Sequence, residues 1–182
     1  MTEYRRALVH GGLYFFTVAL TNRRESLLTD HISSLRSAFQ VVRARYPFVV
    51  EAAVILPDHL HMLWQLPPGD AAYALRWRLI KKCFSRSLPG GEPRTASRIA
   101  KGERGIWQRR YWEHVIRDER DLARHLDYIH FNPVKHGHAP RAADWPHSSI
   151  HRHIRLGLLP EDWGGADASG DGGFGEARDG PL

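Results

Sequence analysis

Hydrophobic residues along the chain are spaced in two ways, which predict alternating strands and helices. Segments dense in aromatic and β-branched residues predict strands. There are four such segments: Leu13–Leu20, Phe48–Leu56, Leu60–Leu66 and Ile106–Arg117. Apolar residues at helical spacing predict three helices. These run from Thr29 or Asp30 to Pro47, over Ala71–Leu88, and over Asp118–Asn132, where Pro133 stops the last one.

The order of these elements favours an α+β fold. An antiparallel sheet with helices packed on one face satisfies the order β-α-β-β-α-β-α, and a short helix around Ser148–Leu156 adds a C-terminal helical extension. Pro89–Gly105 has no clear period and predicts a flexible basic loop. The domain is expected to span residues 1–163. The Gly-rich acidic tail, residues 164–182, is expected to be disordered.

The charge of the chain adds a prediction about its partner. The 182 residues carry a net charge of +6, and the tail holds four acids and one base, so residues 1–163 carry +9. Such a body suggests a polyanionic partner. One cysteine, Cys83, excludes an internal disulfide and fits a reducing cytoplasm. We expect a cytoplasmic protein without a membrane segment, because no apolar run approaches ~18 residues and no secretory signal is evident.

The stretch LPDHLHMLW, residues 56–64, places two histidines one residue apart inside an apolar run. In a strand, residues i and i+2 share a face, so His59 and His61 point one way while Leu60 and Met62 point into a core. Two imidazoles on one face can hold a metal ion. They can also lie at the edge of a sheet without one, because so short a motif often occurs by chance. The strand alone leaves both interpretations open.

The helix over Asp118–Asn132 carries a second group of candidate residues. At ~100° per residue, three apolar residues form a stripe that we expect to be buried. They are Leu122, Leu126 and Ile129. Tyr128 falls roughly 120° from this stripe, so its position does not predict a core tyrosine. It shares a polar face with Asp121, His125 and Asn132. A phenol beside an amide suits a metal-assisted nucleophile, and the alternative is an exposed polar face without chemistry.

Several motifs in a fixed order connect the histidine strand with this helix. HLHMLW is followed about 70 residues later by HLDYIHFNPVKHG. YRR lies near the start, WQRRYWEHVIRDE lies ahead of the helix, and DWPHSSIHR follows it. With these motifs the chain resembles the REP-associated tyrosine transposases, in the single-tyrosine branch of the His-hydrophobic-His (HUH) nuclease superfamily. The resemblance covers about residues 3–163 and is far more specific than two histidines alone.

The resemblance implies a ferredoxin-like (RRM-like) sheet and an enzyme that cleaves and rejoins single-stranded DNA beside palindromic hairpins. Members of the family form a 5′-phosphotyrosine linkage and leave a free 3′-OH. Carried over motif by motif, Tyr128 matches the nucleophile, and His59 and His61 match metal ligands. Asn132 takes the place of a third ligand, where relatives have Gln; either side chain offers a carbonyl oxygen. The implied cofactor is Mg²⁺ or Mn²⁺, with no small-molecule cofactor, and the implied state is a monomer.

Basic and aromatic residues beside these motifs are candidates for DNA contact. They are Tyr4, Arg5, Arg6, Trp107, Arg109, Arg110 and Lys135. His125, one turn before Tyr128, is a candidate proton acceptor or extra metal ligand. The alternatives for this group are a solvated terminus, core packing or surface charge. Two other functions also fit the residues: a catalytically silent nucleic-acid-binding protein, and a metal-dependent phosphodiesterase that uses water.

Overall fold

The fold is built on one antiparallel sheet. The computed structural model describes residues 8–92 and 94–164. The sheet has the strand order β2-β3-β1-β4, with β1 at Leu13–Ala19, β2 at Val49–Ile55, β3 at His59–Gln65 and β4 at Trp112–Val115. The two central strands, β1 and β3, are buried on both faces, which explains their nearly continuous apolar sequences. The predicted α+β fold with an antiparallel sheet is confirmed.

Helices α2 and α3 cover one face of the sheet and form the larger core with it. Trp64 of β3 stacks on Trp77 of α3, with ring centroids 4.2 Å apart. The helices are α1 (Leu27–Asp30), α2 (Ile32–Arg45), α3 (Tyr73–Ser87), α4 (Ala96–Ala100), α5 (Glu119–Lys135) and α6 (Ile150–Arg155). None of the helices in the described ranges is both long and apolar enough to cross a bilayer.

The opposite face of the sheet is covered by α5, which differs from the prediction of helices on one face only. Phe15 and Leu63 alternate with residues of the larger core and pack with Tyr128 and Ile129 of α5. Because both faces of β1 and β3 are apolar, a sheet covered on one side would leave an apolar surface in water. Helix α5 removes that surface from water and brings Tyr128 to the histidine strand.

The side of α5 that faces the sheet is mainly the polar side, so the predicted orientation of this helix is wrong in part: Ile129 is buried as expected, but Tyr128 is buried as well. Leu122 and Leu126, expected in the core, are only half-buried at its margin. Four polar side chains are buried instead: Asp121, His125, Tyr128 and Asn132. Buried polar groups are tolerated where they find partners. The face of the sheet beneath α5 carries histidines and a threonine, which makes it suitable for a polar helix side.

Helix α5 also extends past its predicted end. It includes Pro133 and ends at Lys135. A proline in a helix interior removes one hydrogen bond and strains the preceding turn. The backbone N–H of His136 still donates to the carbonyl of Asn132 at 3.1 Å, so the turn closes around the proline. This extension brings Lys135 and His136 over the sheet.

The predicted fourth strand is divided. Leu20 pairs with Trp107 in an isolated bridge, and β4 begins only at Trp112. Between these points the chain leaves the ladder, and its two arginines, Arg109 and Arg110, are exposed. The preceding segment, predicted as a loop, contains the short helix α4.

The C-terminal part of the described chain closes the edge of β2. The N–H of Ser149 donates to the carbonyl of Ala53 at 2.8 Å, and the N–H of Ile55 donates to the carbonyl of His147 at 2.9 Å. This pairing protects an edge that would otherwise be open to association. The short helix predicted around Ser148–Leu156 is present as α6.

A buried histidine on α5 makes the fold sensitive to acid. His130 is 1% exposed, and burial together with the charges of His153 and Arg152 lowers its pKa to about 3. Its Nε2 lies 3.0 Å from Ser149 Oγ. Because the folded pKa lies below the unfolded value of about 6.5, the unfolded chain takes up the proton first. The stability that the neutral, buried His130 contributes is therefore complete above about pH 6.5 and is lost as the pH falls toward 3.

Replacing His130 with glutamine should reduce this dependence on pH, because an amide does not titrate. Urea unfolding measures the free energy of unfolding at each pH. Between pH 7 and pH 5, this free energy should fall by about 2 kcal/mol more in the wild type than in His130→Gln, at ~1.4 kcal/mol per pH unit below 6.5. His31→Gln, at a half-buried position outside α5, is the matched control and should follow the wild type. An identical pH dependence in wild type and His130→Gln would contradict the assignment.

Candidate active site

The two histidines of β3 point toward the face that α5 covers. His59 is 1% exposed and His61 is 0% exposed. Their ring centroids lie 5.0 Å apart with the rings nearly perpendicular, at 85°. In the ladder with β1 they stand opposite Ala19 and Thr17. The structure thus places both imidazoles on one face, as strand alternation predicts.

Each imidazole is held through its Nδ1 atom. His59 Nδ1 lies 2.7 Å from Asp58 Oδ1 and 3.2 Å from Arg23 Nη2. A carboxylate only accepts, so the shorter contact favours a proton on this nitrogen. His61 Nδ1 lies 2.9 Å from Thr17 Oγ1. Although burial opposes ionisation of Asp58, hydrogen bonds and charges from His59 and Arg23 lower its pKa to about 2. The carboxylate is therefore charged at neutral pH, and Nε2 is the nitrogen of each ring that can coordinate an ion.

Tyr128 of α5 packs against His61. Their ring centroids are 5.0 Å apart at an angle of 73°, and the Phe15 ring lies 6.0 Å from Tyr128. Tyr128 is 7% exposed. The ammonium nitrogen of Lys135 lies 4.8 Å from the centroid of the Tyr128 ring. A phenol, an imidazole and an ammonium group therefore meet between α5 and β3.

Two further polar residues lie near this group, one on α5 and one directly after it. Asn132 is 0% exposed and shares a side of the helix with Tyr128, because residues four apart lie one above the other. His136, at the end of the helix, places its ring 5.3 Å from the ring of His59. No spacing in the sequence links His136 with His59, because their contact arises from the packing of α5 on β3.

Comparison with known proteins identifies the family. The family model described as "Transposase IS200 like" matches residues 10–132, a range that includes His59, His61, Tyr128 and Asn132. The chain belongs to this transposase family.

Relatives of this transposase chain match it over nearly its full length. A Haemophilus influenzae protein assigned as a REP-associated tyrosine transposase is 52% identical, covering 91% of this chain and 94% of that protein. A REP-associated tyrosine transposase of Escherichia coli is 46% identical, covering 91% and 92%. A solved structure of the REP-associated tyrosine transposase bound to a REP hairpin gives a TM-score of 0.84 at 45% identity, covering 98% and 99%. The predicted resemblance and the prediction of a tyrosine transposase are confirmed.

A second polar cluster of the transposase chain holds the first turn of α5. His114 of β4 has its Nε2 2.7 Å from Asp121 Oδ2, which also accepts from the N–H of Arg117 at 3.1 Å. His125 Nδ1 donates to the Asp121 carbonyl at 2.7 Å. Ligand atoms of His114, Asp121 and His125 lie within 4.8 Å of one another, close enough for a cation. The hydrogen bonds of Asp121 favour a clamp between β4 and the helix that carries Tyr128.

His125, the predicted auxiliary residue, belongs to this clamp. Burial lowers its pKa, against the opposing effect of Asp121, so its ring is neutral at pH 7. The ring lies 4.7 Å from that of Phe15, whose other neighbours include His61 and Tyr128. Helical spacing groups His125 with Tyr128 on one side of α5, whereas no local pattern of the sequence pairs His114 of β4 with this helix.

The predicted DNA-contacting residues fall into different environments. Trp107 requires a correction: it is 8% exposed in the larger core, with its ring 5.5 Å from Phe84, which leaves too little surface for stacking a base. Arg109 and Arg110 are exposed, and Arg109 forms an ion pair with Glu103 at 2.8 Å. Lys135 is exposed beside the ring of Tyr128. The remaining candidates lie outside the described residues: Tyr4, Arg5 and Arg6.

Proposed function

We propose that this transposase cleaves and rejoins single-stranded DNA beside palindromic hairpins through a 5′-phosphotyrosine intermediate. The contact between Tyr128 and His61, with ring centroids 5.0 Å apart, carries the proposal. It positions a phenol beside a strand that can hold a metal ion, on a helix clamped at its first turn. The relatives and the structure of the REP-associated tyrosine transposase bound to a REP hairpin support the same DNA partner.

The proposed metal ligands are His59, His61 and Asn132. Two imidazole nitrogens and an amide oxygen fit a divalent cation and leave positions open for phosphate oxygens and water. We expect Mn²⁺ to bind more tightly than Mg²⁺, because nitrogen donors suit Mn²⁺ better. When bound, such an ion lessens charge repulsion at the scissile phosphate and polarises its P–O bond. Asp58 and Thr17 hold the two rings in the orientation that coordination requires.

The chain itself supplies the nucleophile. The phenolic oxygen of Tyr128 gives up its proton to water and attacks phosphorus in line with the departing 3′-oxygen. The bond between phosphorus and the 3′-oxygen breaks, that oxygen takes up a proton, and the 5′-phosphate stays on Tyr128. One phosphodiester is exchanged for another, so the 3′-OH can attack back and rejoin the strand. A free tyrosine has a pKa of about 10, and the positive charge of Lys135 beside the ring favours the phenolate.

Replacing Lys135 with methionine should slow cleavage without removing DNA binding. The charge 4.8 Å from the ring centroid of Tyr128 favours the phenolate, and its loss should reduce the single-turnover rate at pH 7 by roughly tenfold. The pH–rate profile should move to higher pH. Single-turnover cleavage across the alkaline range measures both effects.

Lys135→Arg is the matched control, because it keeps the charge and should restore most of the rate. DNA affinity, measured in parallel, separates this role from the alternative of a phosphate contact. A Lys135→Met variant that binds DNA weakly but keeps the wild-type pH profile would show that Lys135 contacts phosphate and does not assist Tyr128.

Trapping a covalent protein–DNA adduct tests the proposed function. Because the 5′-phosphate stays on the tyrosine, a hairpin oligonucleotide labelled at its 3′ end should transfer the label to the protein. The same oligonucleotide labelled at its 5′ end should release a free labelled fragment. Cleavage without an adduct would indicate the phosphodiesterase that uses water, and binding without cleavage would indicate a catalytically silent protein.

The proposal includes a monomeric enzyme that acts in the cytoplasm. The Tyr128–His61 contact lies within one chain, which supports a tyrosine acting in cis. The single cysteine, Cys83, is a free thiol, which suits a reducing compartment.

A further inference from the structure

A line of ring side chains leads away from His59 on the side of the sheet that α5 covers. The line consists of His136, His138 and Trp145 and is termed the ring track. The ring centroid of His136 lies 5.3 Å from that of His59. The ring of His138 follows at 6.2 Å, and that of Trp145 lies 5.4 Å beyond His138. Successive ring planes along the track are tilted by 32° and 34°, so its faces have similar orientations.

The turn after α5 fixes the position of His138. Gly137 has a φ of +69°, a left-handed conformation that glycine adopts without strain. Its N–H donates to the carbonyl of Val134 at 3.0 Å, and the N–H of His138 donates to the carbonyl of Pro133 at 2.8 Å. These two bonds form a Schellman motif, which closes the end of the helix. The backbone of His138 is therefore held in place, although its side chain is exposed.

Trp145, at the other end of the ring track, is fixed by β2. Its Nε1 donates to the carbonyl of Ile55 at 2.9 Å. The indole ring is half-buried and packs against the smaller core, which contains Tyr128 and Ile129. The ring track therefore lies on the same side of the sheet as Tyr128. A ring that is already held in one orientation loses little conformational entropy when it contacts a ligand.

The charges beside the ring track suit a strand of nucleic acid. Asp144 directly precedes Trp145 and accepts two hydrogen bonds from Arg141, at 2.7 and 3.1 Å, so its negative charge is paired. Lys135 directly precedes His136 and is exposed. A phosphate backbone that follows the track meets a cation at its start and a neutralised carboxylate at its end, and is not repelled by either.

Exposed rings next to a cation are suited to unpaired bases. Proteins that bind single strands stack successive bases on aromatic side chains, including histidine, and follow the backbone with cations. Bases inside a duplex are stacked on one another and leave no face for a protein ring. The ring track spans at most about 12 Å, which accommodates about two or three nucleotides at ~3.4 Å or more each.

We infer that the ring track stacks unpaired bases of the single strand that adjoins the phosphate attacked by Tyr128. This inference rests on the proposed function for the identity of the substrate. Because the track begins beside His59, a strand that lies on it brings its next phosphate to the histidine pair. Tyr128 then acts on that phosphate, while His138 and Trp145 hold the flanking bases and set the register of the strand.

Replacing His138 tests the inference, because an exposed side chain can be changed without unfolding the protein. His138→Ala should bind a DNA hairpin with a single-stranded extension about fivefold to tenfold more weakly, since one stacked base contributes at least this factor. His138→Phe keeps a ring and should restore wild-type affinity. His10→Ala is the matched control: His10 is exposed and contacts Gly69 near the opposite end of β1. Fluorescence anisotropy without divalent ions measures affinity in the absence of cleavage.

A scan with abasic sites locates the base that stacks on His138. One abasic nucleotide is placed at each position of the extension in turn, and each probe is measured with wild type and with His138→Ala. At one or two adjacent positions, the abasic site should weaken binding by the wild type but not by His138→Ala, because the lost base and the lost ring belong to one contact. Elsewhere the two effects should multiply. Trp145→Leu should show the same coupling at a neighbouring position.

The scan and the salt dependence can each overturn the inference. Effects of His138→Ala and of the abasic site that multiply at every position would show that no base stacks on this ring. The ring track predicts an unchanged slope of log affinity against log salt in His138→Ala. A slope shallower by about 0.7, with no rescue by His138→Phe, would instead assign His138 to a phosphate contact.

Adduct formation on the unmodified hairpin separates this inference from the proposed function. A normal 3′-labelled adduct together with no coupling at any position would reject only the ring track. Absence of an adduct with wild-type protein would reject the proposed chemistry, whereas coupling between His138 and a base is measured without cleavage and would still support the track. Circular dichroism and thermal unfolding check that the variants are folded.

Discussion

Tyr128→Phe is expected to abolish both strand cleavage and the covalent adduct. The substitution removes one oxygen, the proposed nucleophile, and leaves the ring in contact with His61 and Phe15. Loss of a nucleophile typically costs several orders of magnitude, so we expect a rate reduction of at least ~10⁴-fold. Hairpin affinity should stay within about twofold, because backbone contacts fix the DNA and lie elsewhere. Adduct capture on 3′-labelled hairpin DNA and fluorescence anisotropy measure the two quantities.

Tyr46→Phe is the matched control, since Tyr46 is half-buried at the end of α2 on the other face of the sheet. It should form the adduct at the wild-type rate. A Tyr128→Phe variant that still cuts at the wild-type rate would assign the attack to water. An adduct that persists in Tyr128→Phe would assign it to another residue of the chain.

The pairings within the site could be predicted because they depend on geometry over a few residues. Strand alternation alone places His59 and His61 on one face, and a helical spacing of four places Asn132 one turn after Tyr128. Both relations hold in the structure. Neither depends on how the chain folds around them.

The orientation of α5 could not be predicted in the same way. Helical periodicity shows which residues share a side, but it does not show which side meets the sheet. The apolar stripe containing Leu122 and Leu126 was the better candidate for burial by composition. The polar side faces the sheet instead, where Thr17 and His61 are hydrogen-bonded to each other and Tyr128 packs against the His61 ring. The burial of Tyr128 is thus a consequence of strands distant in sequence.

The divided fourth strand and the end of α5 also depend on partners that are distant in the sequence. The division of the fourth strand depends on its pairing with β1. Thr17 stands opposite Trp112 and Leu20 opposite Trp107, so the four residues 108–111 face only two residues of the neighbouring chain. The contact of His136 with His59 depends on the extension of α5 through Pro133. No local pattern contains either fact, because each is set by the partner that tertiary packing supplies.

His59→Ala and His61→Ala are each expected to remove Mn²⁺ binding and metal-dependent cleavage. Each substitution deletes one of three proposed ligands, so affinity should fall by more than the ~10–100-fold that loss of an outer partner costs. Asp58→Asn supplies that milder case, because it disturbs only the orientation of the His59 ring. Calorimetric titration with Mn²⁺ should therefore rank the proteins as wild type, then Asp58→Asn, then the two alanine variants. Measuring binding directly keeps the test independent of activity.

Weaker Mn²⁺ binding in these variants could also come from unfolding or from an ion bound at another site, so controls must distinguish these causes from the loss of a ligand. Removing a buried imidazole leaves a cavity and is expected to cost about 1–3 kcal/mol, so His59→Gln and His61→Asn, which keep polar groups, accompany the alanine variants. His31→Ala, at a half-buried position away from β3, should bind Mn²⁺ like the wild type. Unchanged Mn²⁺ affinity in the folded His59 and His61 variants would remove both residues from the metal site.

If His114→Ala lost Mn²⁺ binding instead, the ion would belong to the cluster of His114, Asp121 and His125, and Tyr128 would act beside a histidine pair that binds no metal.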